Sequence, residues 1–150
     1  WMSRVDVATG GLWTAGFFLL ARILRKPVTP VSPVEGAAPH GIDDLYRVNR
    51  ADVDYVVVEY KYGSSALGNT LDGRQMSDSW LLGSRTGFDR VQNAVGDLSA
   101  VDDIQRALAS NRVERWIVHT DHHGGVSVGL LDRYGRFIPR PDMISKILGK

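Results

Sequence analysis

The stretch that decides the fold is residues 54–63, Asp-Tyr-Val-Val-Val-Glu-Tyr-Lys-Tyr-Gly. Tyr55, Val56, Val57 and Val58 form an unbroken run of aromatic and β-branched side chains, which suits a strand buried on both faces. Alternate side chains of a strand share a face, so Glu59 and Lys61 point one way and Tyr60 the other. An acid and an amine side by side at the end of a buried strand have two readings. They pair with each other across the strand end, or they hold a divalent cation and an activated water together.

Just upstream, residues 40–47 read His-Gly-Ile-Asp-Asp-Leu-Tyr-Arg, a second strand with a pair of acids behind a glycine. The turn-prone Asn49-Arg50-Ala51-Asp52 lies between the two stretches and allows an antiparallel hairpin. Asp43 would then lie near Glu59, and a register slip of one residue would exchange faces and bring Asp44 there instead. Two carboxylates and one lysine, as Asp43…Glu59-x-Lys61, resemble the PD-(D/E)XK nuclease superfamily. The segments Gly41-Ile42-Asp43, Tyr62-Gly63-Ser64-Ser65-Ala66-Leu67 and Gly73-Arg74-Gln75-Met76-Ser77-Asp78-Ser79-Trp80 narrow the likeness. With them the chain looks like the restriction-endonuclease-like toxin domains at the C-termini of bacterial polymorphic toxins, including contact-dependent inhibition and type VI secretion effectors. The resemblance covers residues 39–82.

The resemblance implies an α/β fold with a small mixed β-sheet flanked by helices and a restriction-endonuclease-like core. It implies metal-dependent phosphodiester hydrolysis, with Asp43 and Glu59 holding Mg²⁺ (or Mn²⁺) and Lys61 orienting a water or stabilising the charge that grows on the phosphate. DNA is the expected substrate and tRNA the rival, since one metal centre can hydrolyse either backbone. The toxin context implies a larger effector delivered from the producing cell, action in the target-cell cytoplasm, and a cognate immunity protein that blocks the site. A reading from another class is a non-catalytic interaction domain in which Glu59 and Lys61 merely pair. Glu35 is a further candidate ligand or a solvated connector residue.

At 150 residues the chain suits one domain, able to bury roughly two-thirds of its unfolded surface. It has no cysteine, which excludes disulfides and thiolate metal sites. A formal charge of +1 gives no bulk electrostatic case for nucleic acid. Acidic residues outnumber basic ones by 7 to 4 over residues 51–100, where the proposed metal site lies, and both flanking thirds are mildly basic.

Residues 11–25 read as a helix ended before Pro27, and the apolar run Ala15–Ala21 is too short to span a bilayer. It is taken as a core or domain-joining helix, with a membrane-contacting segment as the alternative; no stable membrane association is expected. A chain that starts at Trp1 is expected to be part of a longer one. Prolines 27, 30, 33 and 39 mark an extended connector, so residues 1–35 are set apart from a nuclease domain at 36–150.

A helix is expected over 71–82 after a loop at 63–70. Met76 and Trp80 would face the core, and Gln75 would turn about 100° away from Met76 towards the edge where Glu59 and Lys61 emerge. The family likeness implies that its amide meets the water or the phosphate. Asp78 reads as an Arg74 partner. Helices over 86–95 and 99–110 follow, the latter capped by Ser99, then strands at 113–119 and 125–131 joined through His123-Gly124-Gly125. His119, His122 and His123 around Asp121 form a second candidate metal or water-activating cluster, a substrate or partner contact, or simply a polar turn. Arg133, Arg136, Arg140, Lys146 and Lys150 form a phosphate-facing rim or a solvated surface.

Overall fold

In the computed structural model, which describes residues 28–30, 41–48 and 50–139, the apolar run at 55–58 lies in the middle of a mixed sheet. Its strand, β3 (Tyr55–Tyr62), is buried over its first five residues because it has a neighbour on each edge and side chains packed on each face. The strands are β1 (Val28–Pro30), β2 (Asp44–Val48), β3, then β6 (Val113–Thr120), β7 (Val126–Leu131) and β8 (Phe137–Ile138), hydrogen-bonded in that order. β2 pairs antiparallel to β3 with Asp44 opposite Val58, so the expected hairpin is present. β6 pairs parallel to β3, with Glu59 beside Ile117 and Lys61 beside His119. A parallel pair needs a long crossover, and residues 63–112 supply it. β1 lies at the sheet edge, where Pro30 withholds no ladder donor from a central strand. Part of the expected connector thus joins the sheet.

The crossover carries β4 (Asn69–Thr70), β5 (Gly73–Arg74), α1 (Asp78–Leu82), α2 (Arg90–Val95) and α3 (Leu98–Ala109). In α3, Val101, Ile104 and Leu108 recur at helical spacing and are buried against Tyr55, Val57, Met76, Trp80 and Ile117. Each fully buried aliphatic side chain of this cluster contributes about 1.5–3 kcal/mol. The opposite face of the sheet buries Tyr46, Val56, Val58, Trp116 and Val118.

The expected helix over 71–82 is corrected. Leu71-Asp72 turns the chain into the β4–β5 hairpin, Gly73 opening β5 at φ 108°, and the helix proper begins only after Ser77, whose hydroxyl accepts from the Trp80 N–H at 3.2 Å. Met76 and Trp80 still reach the core, but Met76 does so from a turn at φ 73°. α2 starts at Arg90 because the Asp89 side chain caps it, and α3 is capped by Asp97 in place of Ser99. β6 and β7 match the expected strands to within a residue. The helix at 11–25, Glu35, Arg140, Lys146 and Lys150 lie outside the described residues. No helix among the described residues is long and apolar enough to cross a membrane.

Candidate active site

The β3 ladder turns Glu59 and Lys61 to the face that carries the helices and Tyr60 to the other, as strand alternation requires. Glu59 is 5 % exposed. Its Oε1 lies 2.8 Å from Lys61 Nζ and accepts a hydrogen bond from Gln75 Nε2 at 2.5 Å. Gln75 closes the ring, its Oε1 accepting from Lys61 Nζ at 3.1 Å and from the Gly68 N–H at 3.3 Å.

Gln75 reaches this position by another route than the expected helical face. Its backbone N–H donates to Gly68 O at 2.9 Å, which fixes the β4–β5 hairpin under the loop after β3. The next residue, Met76, has a left-handed backbone uncommon for a long side chain and costing of order 1–3 kcal/mol, a conformation held by its complete burial. Asp72 anchors the hairpin from the other side. It accepts from the N–H groups of Arg85 and Thr86, from the Thr86 hydroxyl and from Arg90. Burial opposes ionisation of Asp72, but these donors outweigh it and hold the carboxyl well below the usual range. Sequence reasoning missed Asp72 and Gly68; the Asp72-Gly73 turn dipeptide was the available signal for the hairpin.

The register settles the choice between the two acids. Asp43, just before β2, accepts from the Tyr60 N–H at 2.8 Å and lies within hydrogen-bonding reach of Glu59. Asp44 points to the opposite face, where its carboxylate accepts from the hydroxyls of Tyr60 at 2.7 Å and Tyr46 at 3.1 Å. Burial pushes the Asp44 carboxyl up to about 6 in spite of those donors. It is not a companion of Glu59.

Two carboxyls packed together away from water need a proton or a cation between them. Burial raises the Glu59 carboxyl to about 7, the Asp43 charge adds to this, and Lys61 works against it. Asp43 is raised chiefly by burial as well, against the Tyr60 N–H. The second oxygen of Glu59, Oε2, is buried and meets no hydrogen-bond partner among the described residues. These are hard oxygen donors, which suit Mg²⁺ or Mn²⁺, and Mg²⁺ is commonly held by one or two carboxylates with water and substrate phosphate filling the other positions. Among the described residues no three His, Cys, Asp or Glu side chains converge as a metal site, and Asp43 and Glu59 are the carboxylates brought together here.

A pH dependence follows. The folded-state value of Glu59 near 7 lies above the ordinary 4.5, so the folded protein holds the extra proton between those limits. The stability this proton confers is present at low pH and is lost as pH rises through about 7, amounting to at most about 3 kcal/mol. Urea denaturation in EDTA should show wild type losing stability relative to Glu59→Gln across that window. Parallel pH profiles for the two proteins would contradict it.

The histidines have separate partners. His119 Nε2 lies 2.6 Å from Gly63 O, and the His122 ring packs edge-on against Tyr62 at 5.4 Å. The Asp121 carboxylate is engaged by the N–H groups of His123 and Gly125 in its own turn, which hold it below its ordinary value. Gly63 stands at φ 62°, the left-handed region that favours glycine, and its missing Cβ also leaves room for the His122 ring. The His119 and His122 rings thus both meet the end of β3 and the glycine after it. Asp78 is corrected too: its carboxylate pairs with Arg115 on β6 and, at 2.8 Å, with Arg133, and not with Arg74. Arg74 instead donates to Gly135 O at 2.7 Å.

Comparison with known proteins gives no family model, no curated protein and no solved structure that matches this chain.

Proposed function

We propose that the chain is a metal-dependent nuclease of the PD-(D/E)XK type, acting on DNA as a toxin domain delivered within a larger effector and restrained by an immunity protein. The observation that carries the hydrolytic reading is the buried Glu59 Oε2, which meets no donor among the described residues although Asp43 lies beside Glu59. A strand-end ion pair accounts for Lys61 and Glu59 Oε1, but not for a second carboxylate held against the first with no cation of its own. The toxin context rests on the likeness of residues 39–82 alone, and the restriction-endonuclease-like core is part of this proposal.

Asp43 and Glu59 would hold the Mg²⁺ or Mn²⁺, which supplies Lewis acidity and a more acidic bound water. Lys61 keeps its ammonium at the carboxylate pair through Glu59 and Gln75, where it offers positive charge to a non-bridging phosphate oxygen as negative charge grows there. Gln75 sets the rotamers of both neighbours. Its loss should lower the cleavage rate by about 10²-fold or more, the range for one positioned transition-state group, with little change in melting temperature. A full rate in Gln75→Ala would reduce Gly73–Trp80 to packing.

The test is incubation of the purified chain with plasmid and with total tRNA in Mg²⁺, in Mn²⁺ and in EDTA, read on a gel. Degraded plasmid in the metal lanes alone supports the reading, and degraded tRNA alone moves the substrate to RNA. Rescue by Zn²⁺ but not Mg²⁺, together with loss in His122→Ala, would move the centre to the histidines.

A further inference from the structure

We propose that the cavity beside Lys61 receives an unpaired nucleobase and that the arginine groove sharing Arg74 with it holds the flanking phosphates, so that the substrate is single-stranded or locally unpaired nucleic acid. This rests on the nuclease reading of the neighbouring site.

The cavity, of about 380 Å³, opens between the end of β3, the loop after it and strands β6 to β8. Lys61, Arg74, His119 and two serines bring polar atoms to its wall, and Leu67, Ile117 and Phe137 make much of the rest apolar. That is the make-up of a small-molecule site, a mainly apolar hollow with a few convergent polar groups, at the small end of the roughly 300–1,000 Å³ range. Phe137 is 60 % exposed at a sheet edge, where a large apolar ring has no structural need to be. It lies close over Gly129, where a Cβ would come within 2.8 Å of the ring. The missing side chain at 129 leaves room for the Cδ1–Cε1 edge of that ring, which stands in the cavity wall. A base inside a duplex shows only its edges in the grooves, so a hollow lined by an aromatic ring takes a base that has left the stack.

Arg74 is shared with a second hollow of about 510 Å³, lined also by Ser77, Asp78, Ser79, Arg133, Tyr134 and Arg136. Here three arginines, Arg74, Arg133 and Arg136, line the hollow with one carboxylate, Asp78, which Arg133 and Arg115 already engage, and the neighbouring Asp132 carboxylate accepts from the N–H groups of Tyr134 and Arg136. Positive charge is left in surplus. The Arg136 guanidinium sits 5.7 Å from the Tyr134 ring centroid, so charge and aromatic face are presented together, the combination that tracks a single strand. Lys61 belongs both to the carboxylate cluster and to the cavity wall, which puts the base next to the scissile position.

The experiment is fluorescence anisotropy of the full chain in EDTA, where binding is read without cleavage, using a short labelled single strand, as DNA and as RNA, and the duplex of the same sequence. The single strand should bind about tenfold or more tightly than the duplex, and Phe137→Ala and Gly129→Val should each remove most of that preference, in line with the loss of one base–aromatic stack. Phe137→Ala at an exposed ring leaves the fold intact, and Gly129→Val tests the same ring from below. Equal or tighter duplex binding, no binding of any probe, or a preference untouched by both variants would overturn the proposal. Cleavage in Mg²⁺ without single-strand preference refutes this inference and leaves hydrolysis standing. A Phe137-dependent preference without cleavage supports the cavity and refutes hydrolysis.

Discussion

Glu59→Gln is expected to lower the cleavage rate by about 10³-fold or more, since loss of a charged ligand removes several kcal/mol of metal-borne transition-state stabilisation. The chain should stay folded. Glutamine keeps the volume of a side chain that is almost wholly buried. Its oxygen can still accept from Gln75 and Lys61, as Oε1 does now. Its amide nitrogen then replaces Oε2, which has no partner among the described residues, and brings a donor beside the Asp43 carboxyl, so the substitution relieves the repulsion of the native pair. Activity should collapse while the circular dichroism is unchanged and the melting temperature is equal or higher. Full nuclease activity in this variant would end the assignment of Glu59. Asp43→Ala and Lys61→Ala should likewise abolish cleavage.

Asp78→Ala is expected to cost about 3–5 kcal/mol of stability, the range for removing one partner of a buried ion pair. Arg115 is 2 % exposed, its Nε has no partner among the described residues, and its remaining partners are Asp78 and the Val113 carbonyl at 3.2 Å. Without Asp78 a guanidinium is left buried on the sheet face that carries the core, and burial already drives it below its ordinary value. Asp78→Ala combined with Arg115→Met should recover much of the loss, because the pair costs less to replace than to break. Urea denaturation of the two variants measures it. A loss below about 1 kcal/mol in Asp78→Ala would show that the pair behaves as an exposed one.

The central hairpin was legible because its signals are local: a β-branched run, a turn tetrapeptide and two acids at the far end. Alternation placed Glu59 and Lys61 on one face, yet it left Asp43 and Asp44 open, since the register depends on which residues of β2 oppose Val58. β6 and β7 carried the same kind of signal. Residues 69–77 did not, because the spacing of Met76 and Trp80 imitates one turn of helix while the chain there runs through a hairpin and a left-handed Met76. Both core positions could be read from that spacing, but not the backbone between them. Gln75 was placed beside the acids by helical geometry and reaches them by a turn held on Gly68. Asp78 paired with residues 37 and 55 positions away, which no spacing rule reaches. The same limit hid the cavity, since Lys61, Arg74 and Phe137 meet only once β3, β5 and β8 are folded together.

The most direct measurement of the central claim is a Mn²⁺ titration of the chain near neutral pH, followed by electron paramagnetic resonance, on wild type, Asp43→Ala, Glu59→Gln and His122→Ala. Asp43 and Glu59 as one cation site predict a single Mn²⁺ bound per wild-type chain, lost in Asp43→Ala and in Glu59→Gln and kept in His122→Ala. Absence of Mn²⁺ binding by the wild type, or binding that survives both carboxylate substitutions and disappears in His122→Ala, would contradict it.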